Sequence, residues 1–396
     1  MQGHTRDRGE TYLEQDHHAK ITSLLLVTIL ILFTQSGEWR EPNLSEEYTP
    51  KSHVIISSDI IWNISMSPVS MDQNVVIENS GSLTIEAGVS VNMLDHYIMV
   101  QDEESRLTIE GTAEQPVLLN ASYGIDETIQ VCHGSINVSH SFFLGHYQYE
   151  PGSLSAIQFG CEGDGIWSLG RGEISNSVFT GFGSAIYLSR ANSAQSLNFH
   201  HTVFEDNVRA IGTLDGSANS NPLWTTENQN ETISFYNSTF INNSYTIVHD
   251  TSSGLDVDIS GSLFLGSNQI KSLNGVFLEN CFDGRDPNIW PRRGFAFDHI
   301  NGDAILINNT FIDSQINIGN MHGTLPEPHF MGEISNNSFL LFGEHSFIMP
   351  IEGDAEGVPV PLGSNWWGTT NTSQIEWIIE DDDDESTYHE AVFNPI

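Results

Sequence analysis

A single aromatic position recurs along this chain of 396 residues, and the same short pattern surrounds it each time. Phenylalanine occupies the position eight times and tryptophan once: Phe143, Phe179, Phe204, Phe240, Phe264, Phe282, Phe311, Phe339 and Trp367. The successive spacings are 36, 25, 36, 24, 18, 29, 28 and 28 residues, as expected for one repeat whose loops vary in length. Self-similarity at a period of about 20 to 50 residues predicts units that bury their apolar faces by stacking on one another.

The residues around each aromatic predict strands and a tight corner. Apolar residues stand seven and five positions before it, as at Ile233 and Phe235, and another stands about seven positions after it, as at Ile247. Alternation in steps of two is the period of a strand and not of a helix. A small polar pair, such as Asn237-Ser238, stands three and two positions before the aromatic. Asn suits a corner because it tolerates the left-handed backbone conformation.

Strand, corner, strand, turn and strand make one triangular rung. The pattern therefore predicts an all-β chain wound as a three-sheet parallel β-helix, with roughly a dozen rungs about 4.8 Å apart. Equivalent rings would stack inside the coil, and the corner asparagines would form a polar ladder. A β-sandwich with Asn-Ser turns is the alternative, but a sandwich does not require the same aromatic after the same turn nine times.

Several motifs resemble one known family. The segment from Val75 to Leu119 contains NSGSLTIEAGVSVNM and RLTIEGTAEQPVLL, later rungs contain SNSVF, HHTVF, YNSTF and INNTF, and the chain closes with GSNWWGTTNTSQIEWIIEDDDDESTYHEAVFNPI. Over residues 53–396 the chain resembles the right-handed parallel β-helix proteins of the pectin-lyase-like superfamily, and its end resembles the cap of secreted archaeal and bacterial members. The resemblance implies a right-handed coil but no single activity, because the superfamily holds lyases, hydrolases and adhesins.

Acidic residues dominate the charged part of the composition. The chain has 52 Asp and Glu residues against 13 Lys and Arg residues, which gives a formal net charge of −39 at pH 7. Such a charge repels phosphate backbones, so the sequence excludes nucleic acid as an expected partner. It also favours solubility and a loose affinity for divalent cations.

The only strongly apolar run lies near the N-terminus, at Ile21–Phe33. Its 13 residues are short for a membrane span of about 20 and match the core of a signal peptide. The long, mixed-charge stretch before Lys20 leaves an uncleaved signal-anchor helix as the alternative. We therefore divide the chain into a signal peptide or signal-anchor (1–36), a polar tether (37–52), the β-helix (53–371) and a C-terminal cap (372–396). We expect a secreted or cell-surface protein that contacts a membrane only through this segment.

Two of the three cysteines are placed to form a disulfide. Cys132 and Cys161 stand about one rung apart, and neighbouring strands hold Cα atoms at a separation that a disulfide can bridge. Two separate buried thiols are the alternative. Cys281 has no evident partner in the sequence, and three cysteines are too few for a disulfide scaffold.

Ten Asn-x-Ser/Thr sequons occur, and export would allow exposed ones to be glycosylated. The repeat corner itself generates this motif, so we expect Asn237, Asn308 and Asn336 to serve as residues of the polar ladder. Asn43, in the tether, and Asn230, in a loop, are the better candidates for glycosylation.

The longer intervals between aromatics predict loops that wall a groove. They are Arg190–Ser196, Asp215–Glu231, Arg285–Ile300 and Asn320–Met331. We expect all four to follow the third strand of one rung and to precede the first strand of the next, and hence to project from one side. Two of them supply the candidate glycan-binding residues Trp224, Trp290, Arg285, Arg292 and Arg293. Trp faces pack against sugar rings and Arg forks bind carboxylates, although the same residues would also anchor loops to the body.

Catalytic residues are harder to find. A polysaccharide lyase needs carboxylate ligands for calcium and a basic residue that removes a proton beside a uronate carboxylate. Lys271 and Arg209, with Asp250 nearby in the rung pattern, are the candidates, but no Asp triplet accompanies them. The ordered motifs of polygalacturonases, which the superfamily resemblance would lead one to seek, are absent.

The chain end predicts a cap. Thr372–Ile379 reads as a short amphipathic helix, begun by Thr372 or Ser373, that covers the open end of the coil. The acidic run that follows contains candidate calcium ligands, namely Asp381, Asp382, Asp383 and Asp384. A solvated charged turn is the alternative, and no other cofactor is expected.

Taken as a whole, these features favour an exported, non-catalytic β-helix protein that is structural or binds an extracellular polysaccharide or envelope glycan. The alternative is a polysaccharide lyase or glycoside hydrolase that acts in the groove walled by the loops between rungs.

Overall fold

The structure is a computed structural model that describes most of the chain after the tether. The described residues are 52–121, 127–146, 154–161, 170–188, 194–213, 232–248, 256–266, 270–285, 294–300, 304–318, 332–340, 348–350, 360–376, 378–379 and 391–395. All of them belong to one compact unit, Lys51–Ile396. The predicted signal segment, nearly all of the tether and Asn43 lie outside the described residues.

The described strands form three long sheets. Sheet A comprises His53–Ile56, Asn74–Ile77, Ile98–Val100, Glu127–Val131, Ser155–Phe159, Ser184–Leu188, Arg209–Thr213, Tyr245–Val248, Ile270–Leu278, Gly294–Ile300, Ser314–Ile318 and Ile348–Pro350. Sheet B comprises Asp59–Trp62, Ser82–Glu86, Arg106–Glu110, Ser135–Ser139, Gly170–Ser175, Ala194–His200, Thr232–Tyr236, Asp256–Ser260, Ile270–Leu278, Ile305–Ile307 and Glu333–Ser335. Sheet C comprises Val69–Ser70, Ser90–Leu94, Val117–Ala121, Ser141–Leu144, Val178–Thr180, Val203–Glu205, Thr239–Ile241, Leu263–Leu265, Cys281–Asp283, Thr310–Ile312 and Ser338–Leu340.

The chain visits the three sheets in the same order in every rung. It runs, for example, from Ser184–Leu188 in sheet A to Ala194–His200 in sheet B and Val203–Glu205 in sheet C, and then returns to sheet A. Each of these strands pairs in parallel with its equivalent one rung later. The chain is therefore a right-handed parallel β-helix, the hand that parallel crossovers adopt. The prediction of fold class is confirmed.

The shortest rung shows how the repeat length varies. Ile270–Leu278 is one continuous strand that pairs first in sheet A and then in sheet B. Gly275 makes the bend between them, with φ +150°, and a Cβ there would lie 2.0 Å from the carbonyl oxygen of Val257. Because no loop intervenes at this corner, only 18 residues separate Phe264 from Phe282.

The repeated aromatic residues form one continuous column inside the coil. From Phe143 to Trp367 the successive ring centroids are 4.4 to 5.3 Å apart, and the ring planes lie within 16° of parallel. All nine rings are buried. Phe199 and Phe235 stack beside this column at 4.7 Å and meet it edge-on. The predicted inward stack is confirmed, and each stacked pair contributes about 0.5–1.5 kcal/mol beyond burial.

The two residues of the polar pair at the corner between sheets B and C have different environments. The first residue takes the left-handed conformation and is exposed, with φ of 50° at Asn237, 58° at Asn308 and 56° at Asn336. The second residue is buried and hydrogen-bonds to the next rung. The column of such residues, which we call the polar ladder, comprises Ser141, Ser177, Thr202, Ser238, Ser262, Asn280, Asn309, Asn337 and Asn365. The ladder is confirmed, but its assignment to Asn237, Asn308 and Asn336 is wrong, because their side chains face solvent.

A second buried polar column lies at the corner between sheets C and A. The Asn207 side chain donates to the carbonyl oxygen of Phe179 at 3.0 Å, and that of Asn243 donates to the carbonyl oxygen of Phe204 at 2.9 Å. The backbone N–H of Asn207 donates to Asn243 Oδ1 at 3.2 Å. Both asparagines stand three residues after a repeated phenylalanine, a regularity that sequence reasoning missed.

The coil closes with a strand and a short helix. Val360–Asn365 pairs in parallel with Ala391–Pro395, and the helix α1 spans Thr372–Glu376. Asn371, the residue before this helix, caps its start, because its Oδ1 accepts from the backbone N–H of Ser373 at 3.1 Å. The predicted first residue of the helix, Thr372, is confirmed, but the predicted cap at Thr372 or Ser373 is wrong, because Asn371 supplies it. Three side chains of the α1 region are buried, as expected for a cap: Ile375, Ile378 and Ile379.

Within the described residues, no helix has both the length and the apolar character needed to cross a membrane.

Candidate functional site

Most of the site residues predicted from sequence fall outside the described residues. These are Trp224, Trp290, Arg292, Arg293, Asp250, Asp381, Asp382, Asp383, Asp384, Asn43 and Asn230. They remain predictions. Among the residues that the structure does describe, no three His, Cys, Asp or Glu side chains come together as a metal site.

Arg285 is described, and its guanidinium is engaged within the chain. Nε donates to Asp283 Oδ1 at 2.8 Å and Nη2 donates to Asp283 Oδ2 at 2.6 Å. The hydrogen bonds to Asp283 raise the pKa of Arg285 above its ordinary value. The fork that was expected to bind a ligand carboxylate is thus occupied by a carboxylate two residues away.

The predicted loops do not all share one corner. The segments around Arg190–Ser196, Asp215–Glu231 and Asn320–Met331 connect sheet A to sheet B, as predicted. Residues 286–293 instead follow the sheet C strand Cys281–Asp283 and precede the sheet A strand Gly294–Ile300. The prediction that all four project from one side is therefore wrong for Arg285–Ile300. The error arose because the third strand of that rung, Gly294–Ile300, lies inside the interval that was predicted to be a loop.

The two basic candidates for catalysis lie in sheet A but not in one row. Arg209 is in register with Ser184 and Tyr245, whereas Lys271 is in register with Val248, whose partner is Gly212. Three residues along the strand and two strand spacings separate them, which places their Cα atoms about 14 Å apart. They do not form one compact site.

The cysteines are bonded as the rung spacing suggested. Cys132 and Cys161 form a disulfide, with Cα atoms 5.2 Å apart. Cys281 is a free thiol in sheet C, where burial and the nearby carboxylate of Asp283 raise its pKa to about 11. It is therefore protonated and unreactive at neutral pH.

Sheet B instead brings together a cluster that sequence reasoning missed. Its members are Glu173, His200, His201, Tyr236 and Asn237, which we call the His–Tyr platform. Strand register sets His200 directly beside Tyr236 on the next rung. Their strand neighbours Phe199 and Phe235 are buried in the core, so alternation turns His200 and Tyr236 outward.

The platform is exposed and internally ordered. Tyr236 is 50% exposed, and its ring centroid lies 6.1 Å from that of His200 and 6.3 Å from that of His201. His200 Nε2 lies 3.2 Å from Glu173 Oε1, and Asn237 Nδ2 donates to His201 Nε2 at 3.4 Å. The Tyr236 ring thus lies beside two imidazoles, each of which is oriented by a polar partner.

The outward residues next to the platform on sheet B are polar. Ser234, Asn198 and Ser260 occupy neighbouring outward positions on sheet B. Glu173 shares its register position with Asp258, three strands away, and hence about 14 Å distant. Short hydroxyl and amide side chains beside one raised aromatic ring offer hydrogen bonds and an apolar face together.

One regularity in the sequence could have revealed the platform. The residue four positions before the repeated aromatic is serine in four of the nine rungs, at Ser139, Ser175, Ser260 and Ser335. His200 and Tyr236 occupy this position in two consecutive rungs. The remaining three rungs carry Leu, Ile or Gly there, so His200 and Tyr236 are the only polar ring-bearing side chains at this position, and that singles them out as a candidate surface site.

Comparison with known proteins adds little to this description. No protein-family model matches the chain, and no curated protein matches it at a significant level. A solved structure that it resembles is a mannuronic acid specific polysaccharide family 6 lyase enzyme from human gut microbiota. The two share 11% sequence identity and a TM-score of 0.41, over 79% of this chain and 75% of that one. These values are too low to support an activity, and the fold follows from the strand register alone.

Proposed function

We propose that this protein is exported and binds an extracellular polysaccharide, without cleaving it, across the His–Tyr platform on the outer face of sheet B. The observation that carries the proposal is Tyr236, a half-exposed aromatic side chain close to His200 and His201 and beside the polar residues Ser234 and Ser260 of sheet B. Aromatic faces pack against the C–H faces of sugar rings, while imidazoles and hydroxyls bind sugar hydroxyls.

The charge of the protein favours a neutral ligand. The chain carries a formal charge of −39, and Glu173 and Asp258 both lie on the outward face of sheet B. A polyuronate brought to this face would meet net repulsion, whereas a neutral glycan would not. We therefore expect neutral polysaccharides to bind more tightly than polyuronates of the same length.

Binding measured by calorimetry and affinity electrophoresis, against a panel of neutral polysaccharides and polyuronates, tests the proposal. Tyr236→Ala should weaken binding at least tenfold. Trp366→Ala is the matched control, because Trp366 is also an exposed aromatic residue (41%) but lies at the far end of the coil. Equal binding by the wild type and the Tyr236 variant would contradict the proposal, and binding to no glycan would leave a structural role in the envelope.

A polysaccharide lyase is the second candidate, and one observation favours it. His200 is held by the carboxylate of Glu173 beside the Tyr236 ring, so that a base and a phenol lie together. A glycoside hydrolase is less well supported. The distance between Glu173 and Asp258, about 14 Å, is larger than the separation of about 5 to 10 Å that a pair of hydrolytic carboxylates needs. Absorbance at 235 nm and reducing-end formation detect cleavage, and loss of turnover in Tyr236→Phe with retained binding would establish catalysis.

A further inference from the structure

The first rung of the coil concentrates exposed apolar side chains. Six of the nine exposed large apolar or aromatic residues in the described part of the chain belong to it: Val54, Ile55, Ile60, Ile61, Ile64 and Met66. Their register partners one rung later can be fully buried. Leu83, which is paired with Ile60, has no exposed surface, whereas Ile60 is 38% exposed. At such inward positions the difference arises because the second rung is covered by the first, and no described residue covers the first. Ile55 and Ile61 instead pair with the outward, half-buried Val76 and Thr84, so they lie on the outer faces of the sheets at the rim of this end.

The same end presents strand edges. Each strand of the first rung pairs with a strand of the second rung; the first-rung strands are His53–Ile56, Asp59–Trp62 and Val69–Ser70. No described strand pairs with their opposite edges. Backbone groups at such edges, combined with exposed apolar side chains, form a template on which another polypeptide can add.

Charge is depleted where the apolar residues lie. From His53 to Met71 the sequence contains one carboxylate, Asp59, and no Lys or Arg, in a chain with 52 acidic residues. The cores of protein interfaces are depleted of charge in the same way. A strongly acidic protein can therefore approach a copy of itself at this end with less repulsion than along its sides.

We propose that the first rung is an interface at which two copies of this chain join end to end about a two-fold axis. One patch then serves both copies, as in other isologous dimers. The six side chains, four at the end and Ile55 and Ile61 at its rim, present roughly 500 Å² per copy and roughly 1,000 Å² across the junction, about the lower limit for a specific interface. The dimer covers the apolar rim and the strand edges in one step.

Light scattering and small-angle X-ray scattering on the full chain test this interface. We expect twice the chain mass of 43.9 kDa, and a folded body about 110 Å long, since a coil of about a dozen rungs is about 55 Å long. The double variant Ile55→Lys/Ile61→Lys should be monomeric at the same concentration. Both side chains are more than half exposed, so the variant should keep the circular dichroism spectrum and melting temperature of the wild type.

Trp366→Lys, which changes an exposed aromatic residue at the other end, should remain dimeric. A monomeric wild type at tens of micromolar would overturn the proposal. If the first-rung amides of that monomer were protected from hydrogen exchange, the preceding residues of the same chain would be the cover. A dimer that survives Ile55→Lys/Ile61→Lys, or one no longer than a single coil, would place the interface elsewhere.

Discussion

The side-chain amide of Asn309 donates a hydrogen bond to the side-chain oxygen of Asn337, one rung further along the coil, at 3.0 Å. The same amide donates to the carbonyl oxygen of Phe277 at 2.8 Å, and Asn309 Oδ1 accepts from the backbone N–H of Asn280 at 3.0 Å. Each ladder asparagine thus hydrogen-bonds to backbone groups of neighbouring rungs at this corner. Because a buried polar group without a partner is costly, the ladder stabilises the coil as the aromatic column does.

Replacing a ladder residue should lower the free energy of unfolding far more than replacing its exposed neighbour. Asn309→Ala removes partners from Asn280 and Phe277 in a buried corner, and we expect a loss of about 2–4 kcal/mol in the free energy of unfolding. Asn308→Gly, one residue earlier, changes an exposed residue at φ 58°, which glycine adopts freely, and should cost less than about 1 kcal/mol. Urea denaturation of both variants measures the contrast, and equal losses would contradict the division of roles.

The aromatic column offers an equally direct comparison. Phe240 is buried between Phe204 and Phe264, so Phe240→Ala should lose about 3–5 kcal/mol, and Phe240→Asp more, because a charge then enters the core. Ile241→Ala, at the next position, is the control: its side chain is only partly buried and should cost less than about 1.5 kcal/mol. Chemical denaturation at neutral pH separates these values. A small loss of unfolding free energy in Phe240→Ala would mean that the Phe240 ring does not stabilise the coil.

Glu205 should make stability depend on pH in a defined direction. Burial raises its pKa above the ordinary value of 4.5, and the neighbouring carboxylate of Asp206 raises it further. The folded state then binds the proton more tightly than the unfolded state, so Glu205 lowers stability as pH rises above about 4.5. Glu205→Gln should therefore melt higher than the wild type at pH 7 and equally near pH 3.

Thermal melts of the wild type and of Glu205→Gln between pH 3 and pH 8 test this pH dependence. Asp206→Asn should reproduce part of the gain at neutral pH, because it removes the second cause of the raised pKa of Glu205. If the difference between Glu205→Gln and the wild type were the same at every pH, its origin would be packing and not ionisation.

The disulfide should stabilise the coil measurably. Cys132 and Cys161 close a loop over a sequence separation of 29, for which chain entropy predicts roughly 3–4 kcal/mol. Cys132→Ala/Cys161→Ala should lose about that amount in urea denaturation, and a reductant should lower the stability of the wild type alone. Cys281→Ala, which removes the free thiol, is the control and should respond to reductant as the wild type does. Insensitivity of the wild type to reductant would mean that the bond does not form.

The local pattern predicted the coil because every rung repeats one environment. Strand alternation around Ile233 and Phe235, the corner at Asn237-Ser238 and the ring at Phe240 recur with small changes, so one rung read correctly describes most others. The prediction failed where the environment within a corner is asymmetric. Nothing in the pair Asn308-Asn309 distinguishes the residue that faces water from the one that hydrogen-bonds inside, because both are asparagine.

The sequence by itself determined the repeat, the strand period and the inward aromatic residues, all of which depend on neighbours within one rung. Only the tertiary structure decided which distant residues meet on the surface. Glu173, His200 and Tyr236 are separated by long intervals, and they adjoin because loops of different length leave their strands in the same register. The exposed first rung is likewise a property of the end of a stack, since Ile60 holds the same position in its rung as Leu83, which the preceding rung covers.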